Sequence, residues 1–283
     1  MNTTDTHAAH AHHGHGGADA DAAVMAEVLE LDAAVLAAYL SELTAWLDEL
    51  SDREPGRILD LGSGTGTGAI ALARRFTQAD VTGVDLSPHM LHRLSKKASA
   101  LGLADRVRGL QADLNEDWPE SGTYDLVWAA SSLHHMADPD RVLAGAFDAL
   151  RPGGLLAVTE MDFFPRFLPD DLGMGRPGLE ARVHATLNQG PAVDWTDHLA
   201  RAGFVLDTKR LFTIDLPAPL PAAAARYAQV CLGRMRSRLD GQLSAEDLAT
   251  LDTVLADGGP HSIQRREDLT VRTTRTTWAA RRP

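Results

Sequence analysis

RILDLGSGTGTG, residues 57–68, joins an apolar run ending in an acid to a series of alternating glycines. Ile58, Leu59 and Leu61 suit a strand buried on both faces, as in a parallel sheet. Gly62, Gly64, Gly66 and Gly68 tolerate positive φ and put no Cβ between backbone and ligand. A helix starting near Thr67 offers free N–H groups and a positive dipole end to whatever lies above the turn. This is a nucleotide-type site at a strand-to-helix turn, and two nucleotides compete for it. Gly64 to Ala69 fits the G-x-G-x-x-A pattern of NAD(P)-binding turns. It begins three residues past Leu61, the last apolar residue of the strand, which is a poor register for a dinucleotide turn.

Outward from this stretch the chain alternates between strand and helix. Residues 69–76 read as helix, 80–86 as strand, and 87–101 as helix with Ser87 at the N-cap and Pro88 at N1. Residues 107–113 and 123–130 read as strands, 138–150 as helix and 155–161 as a fifth strand. The βαβ order implies an α/β fold with a doubly wound, Rossmann-like sheet. Upstream, residues 21–50 carry apolar side chains at helical spacing and read as two helices that could act as a lid. Downstream, residues 162–197 form a long connection, strands are expected at 211–216 and 271–280, and helices at 222–239 and 244–256 lie between them. Long connections in compact α/β domains are usually functional. The expected organisation is a disordered tail (1–20), N-terminal helices (21–50) and a catalytic domain (51–283) with insertions near 162–197 and 217–260.

Composition narrows the partners. The 283 residues are 44% hydrophobic and carry a net charge of −12, with no dense Lys/Arg run, which argues against nucleic-acid or membrane-surface binding. No stretch approaches the roughly 18 apolar residues of a membrane span, and no secretory signal opens the chain, so a cytoplasmic monomer or homodimer is expected. The single cysteine, Cys231, excludes an internal disulfide and reads as packing on a helix. His7, His10, His12, His13 and His15 lie in a low-complexity tail with no carboxylate or thiol to fix a metal geometry. No metal site is expected.

Several further segments resolve the nucleotide question. DLGSGTG (60–66), VDLSPHML (84–91), ADL (112–114), YDLVWAASSLHHMADP (124–139) and LRPGGLLAV (150–158) occur in this order. Together they resemble the class I S-adenosylmethionine-dependent methyltransferases, strongly over residues 57–162 and more weakly to the C-terminus. The resemblance implies a seven-stranded sheet with an antiparallel last strand, S-adenosyl-L-methionine as cofactor and S-adenosyl-L-homocysteine as product. It places Asp85 on the ribose hydroxyls and Asp113 on the adenine amino group beside the Leu114 backbone. It sets Leu86 and Met90 about the adenine. Asp60 would orient the loop and reach the methionine ammonium directly or through water. Gly62, Ser63 and Gly64 would line the methionine and ribose, and Ala129 would set a carbonyl near the ammonium.

The acceptor is less determined. Methyl transfer from a sulfonium needs a general base only when the acceptor must lose a proton. His134 and His135 follow the fourth strand where such a base would stand, and Glu160 ends the fifth strand. Both histidines could equally serve a helix-entry turn. The sequence lacks the Asn/Asp-Pro-Pro-Tyr/Phe run of nucleic-acid amine methylators. A small acceptor, apolar or aromatic, is expected from Tyr39, Trp46, Phe163, Phe164, Phe167 and Trp195, with Tyr39, Phe163 and Arg166 as contact residues. Two other readings remain: a cofactor-binding regulator or non-methylating enzyme of the same fold, and an NAD(P)-dependent dehydrogenase.

Overall fold

The computed structural model describes residues 15–116, 118, 122–187, 190 and 192–283. The tail expected to be disordered lies outside the described residues up to residue 14. Helix α1 (His15–Val35) begins at His15 rather than Asp21, so residues 15–20, expected in the tail, are helical. Then follow α2 (Ala37–Leu50), β1 (Arg57–Leu61), α3 (Thr67–Arg75), β2 (Asp80–Asp85), α4 (Pro88–Ala100), β3 (Val107–Gln111) and β4 (Tyr124–Ala130). The chain continues through α5 (Pro139–Ala149), β5 (Leu150–Met161), α6 (Leu179–Leu187), α7 (Thr196–Arg201), β6 (Val205–Leu216), α8 (Ala224–Arg238), α9 (Ala245–Leu255) and β7 (Val271–Arg281).

The strands form one sheet in the order β3-β2-β1-β4-β5-β7-β6. The first five are parallel to one another, and β7 runs antiparallel to both β5 and β6. Side chains alternate between two cores. On one face Ile58, Trp128 and Ala157 pack with residues of α2, α3, α4, α6, α8 and α9. On the other, Leu61, Val127 and Val158 pack with α5, α7, Trp195 and Trp278.

Two strands start earlier than the sequence pattern indicates. β5 begins at Leu150, which pairs with Tyr124 before a register shift lets the Pro152-Gly153-Gly154 turn pass. β6 begins at Val205, and none of residues 205–211 is buried because β6 is the sheet edge. Helix starts follow their caps. Ser87 accepts from Met90 N, Asp138 from Arg141 N at 3.1 Å and Ser244 from Asp247 N at 3.1 Å.

Asp125 anchors the amino end of the sheet. It accepts from Gly56 N at 2.9 Å, Arg57 N at 3.1 Å and Arg151 Nε at 2.7 Å. These donors outweigh burial and hold its carboxyl down at about 2 from 3.8. A depressed carboxylate contributes stability that is complete above its unfolded value and is lost as pH falls towards the folded one. Asp125→Asn should therefore unfold with about 2 kcal/mol less free energy at pH 7. It should also lose less on acidification below about 4, as read by denaturant titration across pH.

Helix α1 bridges the two halves of the molecule. Leu29 packs over Gly64, and Glu30 pairs with Lys97 of α4 at 2.9 Å. Glu27 pairs with Arg226 of α8 at 2.7 Å. Asp32 pairs with the half-buried Arg275 of β7 and accepts from Tyr227 Oη at 2.6 Å.

Candidate active site

The strand order reverses between β1 and β4, so a crevice opens above their carboxyl ends, where α/β sheets bind ligands. The glycine loop crosses it. Ser132 Oγ donates to Leu61 O at 2.7 Å, which brings the two loops together. A Cβ on Gly62, where φ is +69°, would fall 2.5 Å from the Ser132 Cβ, so only glycine fits. Ser63 N donates to Val84 O at 2.9 Å, and Gly64 N donates to Asp85 Oδ2 at 2.8 Å. Asp85 Oδ1 accepts from Ser87 N at 2.8 Å. The carboxylate thus locks the loop to the start of α4, and each oxygen keeps a lone pair for a hydroxyl donor.

Asp60 lies buried at the end of β1, beneath the glycine loop. It accepts from Ala69 N at the start of α3, and burial pushes its carboxyl up to about 7. It holds the helix entry, and its Oδ2 is buried with no partner among the described residues. Leu86 is exposed at the rim, while Met90 and Leu114 are buried beneath it. Asp113 Oδ1 accepts from Asn115 N at 2.9 Å and Asn115 Nδ2 at 3.0 Å, which leaves Oδ2 free of these bonds. Ala129 is fully buried, and the chain leaves β4 at Ser131 in a left-handed conformation, φ +51°. That kink delivers the short 3₁₀ turn Leu133–His135 to the crevice.

There His134 Nδ1 lies 2.7 Å from Glu160 Oε2 at the end of β5. The hydrogen bond to this carboxylate raises the His134 pKa from 6.5, against the effect of burial. Glu160 Oε1 is buried and has no partner among the described residues. The His135 ring sits 3.9 Å from that of His134 and is shifted the other way, first by burial and then by the charges of His134 and Arg238.

The aromatic residues expected around the acceptor mostly lie elsewhere. Tyr39 is buried edge-on against Phe212 beneath the Arg275 guanidinium, within the core. Phe167 and Trp195 are likewise core, and Trp46 packs on Phe212. Large rings bury the most area, which draws them into the cores. Phe163 is half-buried under the Arg166 guanidinium. Arg166 is half-buried, its charge acts on Glu180 and His184, and its Nε is buried with no partner among the described residues. Glu180 accepts from Phe167 N and Leu168 N at 2.9 Å each, which fixes the segment after β5.

Beside this segment lies a cavity of about 350 Å³ lined by Phe164, Thr186, Leu187, Arg238, Leu239 and Gln242. Of these residues the sequence reading singled out only Phe164. Arg238 had no signal of its own, because its place depends on how α8 packs.

Comparison with known proteins decides the donor. A family model described as a methyltransferase domain matches residues 58–154. The malonyl-[acyl-carrier protein] O-methyltransferase of Laribacter hongkongensis is 35% identical over 243 residues, covering 80% of this chain and 78% of the relative. This chain belongs to the class I S-adenosylmethionine-dependent methyltransferases. The 27-O-demethylrifamycin SV methyltransferase of Amycolatopsis mediterranei is 32% identical, with 58% of this chain and 64% of the relative covered. The YcgJ protein of Bacillus subtilis shares the fold, with a TM-score of 0.53 at 14% identity over 84% of this chain and 97% of that one. The methyltransferase therefore uses S-adenosylmethionine, and the dinucleotide reading of the glycine loop falls. The residues fit the cofactor. The loop approaches without side chains, Asp85 keeps acceptor capacity for vicinal hydroxyls, and Asp113 and Leu86 stand at the rim. No helix among the described residues is long and apolar enough to cross a membrane.

Proposed function

We propose that this methyltransferase transfers the sulfonium methyl group to a small organic acceptor that must lose a proton, with His134 as the base. The observation that carries this is the 2.7 Å contact between His134 Nδ1 and Glu160 Oε2 at the crevice. The relatives' names point to unlike acceptors, so the family fixes the donor and leaves the acceptor to the residues around β4, β5 and α8.

When bound, S-adenosylmethionine brings its own leaving group, and the protein's tasks are alignment and exclusion of water. The Gly62–Gly64 backbone and Asp85 hold the donor from one side. Helix α1 acts as lid, tied across the loop by Leu29 and Glu30. The helices of residues 162–197 and 217–260 enclose the acceptor, and Phe164, Leu187 and Leu239 offer it an apolar wall. With Glu160 ionised, Nδ1 of His134 carries the proton and Nε2 presents a lone pair to the acceptor. Glu160 also stabilises the imidazolium that forms.

The base must be neutral to act, and its partner raises its pKa. The acid limb of kcat/KM should therefore lie above pH 6.5. In Glu160→Gln, which removes the charge, that limb should move to lower pH. A pH–rate series on both proteins checks this, and an unmoved limb would remove His134 from the role.

A further inference from the structure

We infer that the cavity beside Arg238 takes the carboxylate end of an acceptor with an apolar body, and that Arg238 is the residue that selects for it. The inference rests on the methyltransferase reading above and names the substrate class of that same site.

The cavity of about 350 Å³ is divided in character. Its size is within the range of about 300–1,000 Å³ usual for small-molecule pockets. Phe164, Leu187 and Leu239 make an apolar wall, while Arg238, Gln242 and Thr186 supply polar groups. Such pockets orient a ligand by a few placed polar groups on an apolar lining. Arg238 is exposed and forms no ion pair or side-chain hydrogen bond with any described residue. Its neighbour in the same last turn, Arg236, is held by Asp252 at 2.8 Å and Asp240 at 3.1 Å. A basic residue at the end of α8 suits the helix dipole, but Arg236 already meets that need.

The cavity also lies towards the proposed base. Phe164 on its wall follows Glu160 by four residues, just past the carboxyl end of β5. A molecule held by Arg238 therefore lies on the side of the His134–Glu160 pair, whose neighbour His135 also feels the Arg238 charge. Guanidinium binds carboxylate through two parallel N–H···O bonds, which fixes direction as well as affinity. The other basic groups of the segment after β5 do not line the cavity: Arg176 pairs with Glu246 and Asp247, Arg182 pairs with Asp247, His184 is buried, and Arg166 lies over the Phe163 ring.

The test is binding to the full chain saturated with S-adenosylhomocysteine. The probes are phenylacetate and 3-phenylpropanoate, each against its carboxamide, followed by calorimetry and by the Leu187 and Leu239 methyl resonances. At least one acid should bind about tenfold or more tightly than its amide and shift both methyls. Arg238→Gln should abolish that preference while leaving the amide's affinity and the S-adenosylhomocysteine affinity unchanged. The His135 imidazole should titrate at higher pH in the variant. No preference for any acid, including no binding by either pair, overturns the inference, as does a preference that survives in Arg238→Gln. Failure to bind S-adenosylhomocysteine would instead strike the methyltransferase reading itself.

Discussion

His134→Ala lowers kcat by about 10²–10⁴-fold, the range ascribed to a positioned general base, while S-adenosylhomocysteine affinity stays within about twofold. The separation follows from placement. His134 stands beyond β4 on the 3₁₀ turn and hydrogen-bonds to Glu160, not to the glycine loop. Removing the imidazole therefore takes away the proton acceptor and leaves the donor site intact. Glu160→Gln keeps the side-chain volume, loses the charge that stabilises the imidazolium, and falls between the two proteins. His135→Ala, whose ring lacks the carboxylate partner, loses less than His134→Ala. Steady-state kinetics on the three variants check the order, and an unchanged kcat in His134→Ala would remove the base.

Asp85→Ala weakens S-adenosylhomocysteine binding by about tenfold or more. Hydrogen bonds to a charged group contribute about 1.5–3 kcal/mol, and each 1.4 kcal/mol is tenfold in affinity. Two losses add here. On the proposed assignment the ribose hydroxyls lose their acceptor, and Gly64 N and Ser87 N lose the carboxylate that locks the loop to α4. Asp85→Asn keeps one carbonyl oxygen and sits between. Isothermal titration measures both, and parental affinity in Asp85→Ala would refute the ribose assignment.

The donor half was legible because its requirements are local. Strand-end acids, a glycine loop and a Ser-Pro helix start must occur at fixed spacing, and all of them appear between residues 57 and 113. The β1 bounds match the expected residues, and β2 and α4 lie within one residue of theirs. Edge strand β6 was only half visible because an edge need not alternate apolar and polar residues. The acceptor half was less legible. Tyr39, Phe167 and Trp195 carry the same side chains whether they line a pocket or fill a core, and only packing distinguishes the two. Asp60 was placed correctly at the end of β1, yet its face of the strand turns it towards α3. Arg238 was invisible because its meaning comes from α8 bringing it beside α6 and the segment after β5.

The most direct test of methyl transfer to a small acceptor is incubation of the protein and methyl-labelled S-adenosylmethionine with a metabolite extract. Product analysis follows by mass spectrometry. The account requires a labelled small molecule with stoichiometric S-adenosylhomocysteine, formed by the parent and strongly reduced with His134→Ala at saturating cofactor. Tight cofactor binding with no label passed to any molecule of the extract would contradict it.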